Sequence, residues 1–302
     1  MNKELRDLFD ENNIIVKKIT IIRGVIIIDT LDNRYVIKKK NTRISSLYKY
    51  LSSRGFNSFP SLLFKTNNYD IFEYIEEVNL PIEEKAIDIM KLISLLHNKT
   101  TFYRDIDQDT FKGIYEEVID RVNYLYNYYD DIANVIDKEK YMSPSSYLFV
   151  RNISLLFNIL NFCRESINKW YEIIKEKKRI RVVNLHNNLS LDHYLLSNKP
   201  YLISWNKSKK DMPIYDIINF YKIYYKDFDF NDLIRVYESY YPLLKEEKIL
   251  LLCLISIPSK LEFNNDSYNM CLKIDSFYKY INNSLSLIDD YKENMNISII
   301  KK

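Results

Sequence analysis

The stretch from Ile180 to Asn206 constrains the fold more than any other part of the chain. It reads Ile-Arg-Val-Val-Asn-Leu-His-Asn-Asn-Leu-Ser-Leu-Asp-His-Tyr-Leu-Leu-Ser-Asn-Lys-Pro-Tyr-Leu-Ile-Ser-Trp-Asn. A β-branched run (Ile180–Val183) predicts a strand that feeds a polar loop. Asn198-Lys199-Pro200 then predicts a tight turn between two short apolar strands. His186, Asn188, Asp192 and His193 fall in the loop, and Ser204 and Asn206 follow the last strand. Polar side chains gathered on a loop between rigid strands mark a candidate functional site.

Composition removes several classes of function. The chain has 302 residues, 47% hydrophobic and 28% charged, so it can bury a large core. Its net charge of +3 comes from 44 basic and 41 acidic residues, which gives no case for a nucleic-acid partner. Only three glycines occur, too few for a glycine-rich phosphate loop. Cys163, Cys253 and Cys271 are odd in number and widely spaced, with no zinc or disulfide pattern. They read as small buried hydrophobes in a reducing cytosol. The charged start of the chain lacks the apolar core of a signal peptide. The longest apolar run, Ile249–Ile257, is far short of the ~20 residues that span a bilayer, so a soluble, cytoplasmic protein without a membrane span is expected.

Read in order, a short helix is predicted near Glu4–Phe9. Antiparallel strands follow near 15–22, 25–30 and 34–39, with turn signals at Gly24 and Leu31-Asp32-Asn33. Ile44, Leu47 and Leu51 stand at helical spacing and Gly55 is placed to stop that helix. Strands are predicted at Pro60–Phe64 and Tyr69–Ile75. Pro81 opens a helix whose apolar face is Ile89, Leu92, Ile93 and Leu96. A long helix covers Phe111 to about Ala133. Ser143-Pro144 starts another, expected to run unbroken for about 30 residues to near Lys177. Helices near 214–226, 230–240, 245–256 and 267–290 complete the chain.

These motifs in this order resemble the kinase-like phosphotransferases of the aminoglycoside phosphotransferase and choline kinase group, and within it the spore-coat, CotS-type branch. The residues that carry the resemblance are His186-Asn187-Asn188-Leu189, His193-Tyr194-Leu195, Leu202-Ile203-Ser204-Trp205-Asn206 and Pro213-Ile214-Tyr215-Asp216. Leu95-Leu96-His97, Tyr35-Val36-Ile37-Lys38 and the stretch from Tyr240 to Lys260 extend it over nearly the whole chain. The resemblance implies an α+β, bilobal protein-kinase-like fold. Residues 1–76 would form a small antiparallel N-lobe, and residues 77–302 a helical C-lobe carrying a loop at 184–206. It makes Lys38 the phosphate-holding lysine. The reading of Lys38 as one of three consecutive lysines on an exposed strand face stands beside that. Glu73 falls in the hinge strand where backbone groups meet an adenine. His97 and Asp216 read as structural.

The same resemblance implies lost chemistry. Asn188 occupies the seat of the Asp that accepts the substrate's proton, and an amide cannot take it. His193, Ser204 and Asn206 occupy metal-binding seats, and none is a carboxylate. Magnesium favours anionic oxygens in octahedral geometry. The helix that usually pairs a Glu with the strand lysine has no acidic residue between Thr42 and Gly55. The expected protein is therefore a pseudokinase with no cofactor, acting on an unknown protein partner, with spore-coat proteins and the spore coat as the implied setting. The alternative is an atypical ATP- and magnesium-dependent phosphotransferase acting on a small-molecule or protein hydroxyl. Two other readings of the loop are a slid register with Asp192 as base and Ser197 as metal ligand, and a zinc site from His186, Asp192 and His193.

Overall fold

The computed structural model describes residues 3–22, 24–264 and 267–295, the last four without side chains. The chain divides into two compact units. One comprises residues up to Thr100 together with His186–Lys209, and the other Thr101–Leu185 with Lys210 onward.

In the first unit, helix α1 (Lys3–Glu11) precedes strands β1 (Val16–Ile22), β2 (Val25–Thr30) and β3 (Arg34–Lys39). Helix α2 (Ile44–Ser53), strands β4 (Leu62–Lys65) and β5 (Tyr69–Glu73), and helix α3 (Ile82–Thr100) follow. The five strands form one antiparallel sheet in the order β1-β2-β3-β5-β4. Period-two alternation sorts its faces. Ile28, Tyr35, Ile37 and Ile71 face α1 and form a core with Leu5 and Phe9. Val36 and Phe72, paired across β3 and β5, belong to the other face, where Tyr48 of α2 meets the Phe72 ring edge-on at 6.2 Å. Gly55 ends α2 as expected. Its φ of +76° is open to glycine without a Cβ clash, and the Phe56 amide returns to the Leu51 carbonyl at 2.9 Å.

The second unit opens with β6 (Phe102–Asp105), then α4 (Gln108–Asp137), α5 (Pro144–Arg151), α6 (Ile153–Ile174) and β7 (Arg179–Leu185). The hairpin β8 (Tyr194–Leu196) and β9 (Pro200–Leu202) belongs to the first unit and turns at Asn198-Lys199 as the sequence predicts. Strand β10 (Lys209–Asp211) joins β7 and β6 in a three-stranded sheet, and α7 (Ile214–Tyr224), α8 (Phe230–Tyr240), α9 (Lys245–Ser256) and α10 (Ser267–Met295) close the fold. The α+β class expected from the sequence is present: an antiparallel sheet unit and a mostly helical remainder.

One expectation is corrected. The helix from Pro144 is not continuous but breaks at Asn152, whose φ of −112° and ψ of 11° end α5 and begin α6. The Asn152 amide donates to the Phe149 carbonyl at 3.3 Å, and its own carbonyl receives the Leu155 amide at 3.0 Å. The packed helix pair α6 and α9 buries Cys163 and Cys253. Each thiol points at the other's carbonyl, at 3.6 and 3.5 Å, so both behave as buried, unoxidised side chains. Among the described residues no helix is long and apolar enough to cross a membrane.

Candidate functional site

Strand β7 delivers the chain into the loop. After it come a single 3-10 turn at Leu191–His193, the hairpin β8–β9, and a second 3-10 turn at Trp205–Lys207. Two non-glycine residues here have positive φ: Asn187 at 56° and Ser204 at 67°. Asn enters that region more easily than most residues, because its short amide bonds locally. Here the Asn187 side chain donates to the Lys207 carbonyl at 3.0 Å.

Three side chains brace the loop, and each gives an N–H to a backbone carbonyl. His186 is fully buried and its Nε2 lies 2.8 Å from the Ile203 carbonyl. The Asn188 amide nitrogen donates to the Ser204 carbonyl at 3.2 Å. His193 Nδ1 lies 2.6 Å from the Asn188 carbonyl. A carbonyl only accepts, so both histidines carry their proton on the nitrogen that faces it. The Ile203 amide closes the frame by donating to the His193 carbonyl at 2.9 Å.

Aromatic packing holds the same frame from behind. The His186 ring meets Trp205 edge-on at 4.7 Å. Trp205 is buried, donates its indole N–H to the Leu202 carbonyl at 2.7 Å, and packs against Phe56 and Phe59. Phe59 in turn stacks on Tyr48 at 4.0 Å. Burial, with the charges of Asp70 and Glu73 adding, pushes the Tyr48 hydroxyl well above the ordinary tyrosine range. Tyr194 anchors β8 to α3 by donating to Asp88 at 3.1 Å.

The residues expected to hold magnesium do not fit it. His193 Nδ1 already faces a carbonyl, and an imidazole has no oxygen to turn toward an ion. Ser204 offers one neutral hydroxyl, and Asn206 is exposed. Among the described residues no three His, Cys, Asp or Glu side chains converge to hold a metal. The zinc reading finds no converging set: the His186 and His193 rings lie 6.4 Å apart, Asp192 is exposed, and that trio is not among the described residues that gather to hold a metal. The slid register fails because Tyr194–Leu196 is already paired with β9, which leaves Ser197 in the hairpin turn.

Lys38 and Glu73 are not brought together. Lys38 lies on β3 directly across from Asp70, half buried, and among the described residues no hydrogen bond or ion pair engages its ammonium. Burial alone lowers its pKa. Asp70 instead accepts the Asn41 amide at 2.8 Å, and Glu73 accepts the Ser61 amide at 2.7 Å. Helix α2 carries no acid toward Lys38's face of the sheet and presents Tyr48 there. His97 and Asp216 are both fully buried, Asp216 in the first turn of α7. The sequence reading missed the Asn187 and Ser204 conformations and the Asp70 and Glu73 brackets. Asn187, a loop Asn beside a second Asn, was the one available signal.

Comparison with solved structures decides the fold. An aminoglycoside phosphotransferase from Alicyclobacillus acidocaldarius superposes with a TM-score of 0.66, covering 93% of each chain at 10% identity. The fold is that of a kinase-like phosphotransferase. Spectinomycin phosphotransferase (12% identity, 95% of this chain and 98% of that one) and choline kinase from Streptococcus pneumoniae (13%, 97% and 99%) also match, each at a TM-score of 0.49, too low to argue from. No family model and no curated protein matches the chain. Shared fold at this identity carries no activity with it.

Proposed function

We propose that this protein is a pseudokinase: a kinase-like phosphotransferase fold that no longer transfers phosphate and acts by binding or scaffolding. One observation carries the reading. The loop residues His186, Asn188 and His193 give N–H groups to backbone carbonyls, so the loop braces itself, and Asn188 does so from the seat where an active loop would carry its proton-accepting Asp. The resemblance to the CotS-type branch supplies the setting, coat assembly in spore formation, with coat proteins as partners.

A second reading has one observation in its favour. Lys38 sits half buried on the strand that would hold nucleotide phosphates, without a partner among the described residues. An ammonium in that state accepts an anion readily, which favours nucleotide binding and, at its limit, an atypical phosphotransferase. A thermal-shift titration with ATP, with and without magnesium, separates the readings. The pseudokinase reading expects no magnesium-dependent shift. A metal-independent shift that disappears in Lys38→Met would mean nucleotide held without transfer. A magnesium-dependent shift accompanied by ADP release would replace the proposal with the enzyme.

A further inference from the structure

The helical unit contains a cavity of about 860 Å³, built entirely from its own residues and separate from the loop at 186–206. A volume of that order suits a small organic ligand. Its charge is one-sided. Arg121 from α4, Lys222 from α7 and Lys273 from α10 line it, and among the described lining residues no carboxylate answers them. Lys226, one turn beyond Lys222, adds a fourth cation at the rim by donating to Ser276 at 3.4 Å. The whole chain is close to neutral, so this concentration is local.

The walls between the cations are aromatic and apolar. The Tyr225 and Tyr280 rings meet edge-on at 4.9 Å, and Phe277 and Leu261 face the same space. The Tyr280 hydroxyl is committed to the Ile255 carbonyl, so the ring and not its polar tip meets the cavity. Asp275, on α10, pairs with Lys279 at 2.8 Å. Burial, with the nearby Arg121 charge adding, lowers the Lys222 pKa. Like charges held together without an acid cost free energy that a bound anion returns.

We propose that this cavity is a binding site for a small anionic ligand with a flat apolar body, its phosphate or carboxylate held by Arg121 and Lys222 and its ring packed on Tyr225, Tyr280 and Phe277. Arginine supplies a two-pronged donor for such a group and lysine a point charge. The planar body is matched by aromatic faces and edges. The site is independent of whether the loop transfers phosphate.

Isothermal titration calorimetry with phenyl phosphate tests it. Benzyl alcohol serves as the uncharged control and inorganic phosphate as the ringless one. The expected result is a Kd below about 1 mM for phenyl phosphate, weaker binding of phosphate and none of benzyl alcohol. The double variant Arg121→Gln/Lys222→Gln should weaken phenyl phosphate at least about tenfold, and the charge-keeping Arg121→Lys/Lys222→Arg should hold most of the affinity. Lys17→Gln, at an exposed position of the other unit, should leave it unchanged. Both Arg121 and Lys222 are exposed enough that their replacement keeps the fold, checked by circular dichroism. Absence of phenyl phosphate binding, equal binding of benzyl alcohol, undiminished affinity in the folded double variant, or loss in Lys17→Gln would each overturn the proposal.

Discussion

Asn188 braces the loop, because its amide N–H is used. It donates to the Ser204 carbonyl at 3.2 Å, and a carboxylate in that place would set an acceptor against an acceptor. Asn188→Asp should therefore destabilise the protein by about 1–3 kcal/mol at neutral pH, the cost of a lost bond and an unmatched acceptor, without producing phosphotransfer. The sign with pH follows. A carboxyl there is favoured protonated in the fold, so its folded pKa is raised; the deficit shrinks as pH falls through that raised value and is gone below the unfolded carboxyl range near 4. Chemical denaturation of both proteins at pH 7 and pH 3.5 checks this. Ser204 makes a second test. Its φ of 67° strains an L-residue, and among the described residues its hydroxyl has no partner. Ser204→Gly should be neutral to stabilising by up to about 1 kcal/mol, and Ser204→Val should destabilise, both read as shifts in Tm. Which residue types fill the seats at 186, 188, 193 and 204 was legible from the motif. Which way their donors point was not, because that depends on the αL turn at Ser204 and, for His186 and Asn188, on carbonyls 17 and 16 residues away in the chain.

Helix α9 shows what an element needs beyond its own pattern. Its first turn carries Glu246 and Glu247, and Glu247 reaches back to accept the Leu244 amide at 2.8 Å, a one-way cap because a leucine side chain has no acceptor to return. The same carboxylate is gripped by Arg181 of β7, which also donates to the Pro242 carbonyl at 2.9 Å and stacks 4.2 Å over the Tyr241 ring. Both charges are almost wholly buried. Glu247→Ala leaves Arg181 buried without its anion and should cost about 3–5 kcal/mol, far more than any exposed pair. A denaturant titration in which the variant loses less than about 1 kcal/mol would refute that placement. Helix α4 begins at Asp107, whose side chain accepts from Thr110 at 2.6 Å and from the Asp109 amide at 3.2 Å. The Thr110 bond leads in lowering its pKa. The stability it adds is present above the unfolded carboxyl range and is lost as pH falls through the lower folded value. Hydrogen exchange at the first turn of α4 should accelerate on acidification, and should already be fast in Asp107→Ala. Elements with long apolar periods were readable: α2, α3, α4 and the hairpin β8–β9. Strands β6 and β10 were missed because Phe102–Asp105 and Lys209–Asp211 are short and mostly polar, and exist only by pairing with β7. The break at Asn152 was hidden because the apolar period runs on through it.

For the whole molecule, order of motifs outweighed identity of residues. A chain only 10% identical to a solved phosphotransferase shares its fold across 93% of both lengths. The path was readable because apolar periods and turn residues, not particular polar side chains, carry the strand–loop–hairpin pattern. The basic cavity in the helical unit was not readable, since Arg121, Lys222 and Lys273 come from three helices distant in sequence. The loop and the cavity share no residues, so variants in one should leave binding at the other unaltered, and their effects on Tm should add. The central claim is that the self-braced loop does not transfer phosphate. Phosphorus NMR of magnesium-ATP incubated with the purified protein tests it most directly. The account predicts that ADP and phosphate do not rise above a protein-free control. Turnover that is abolished by Asn188→Ala or Ser204→Ala would contradict it.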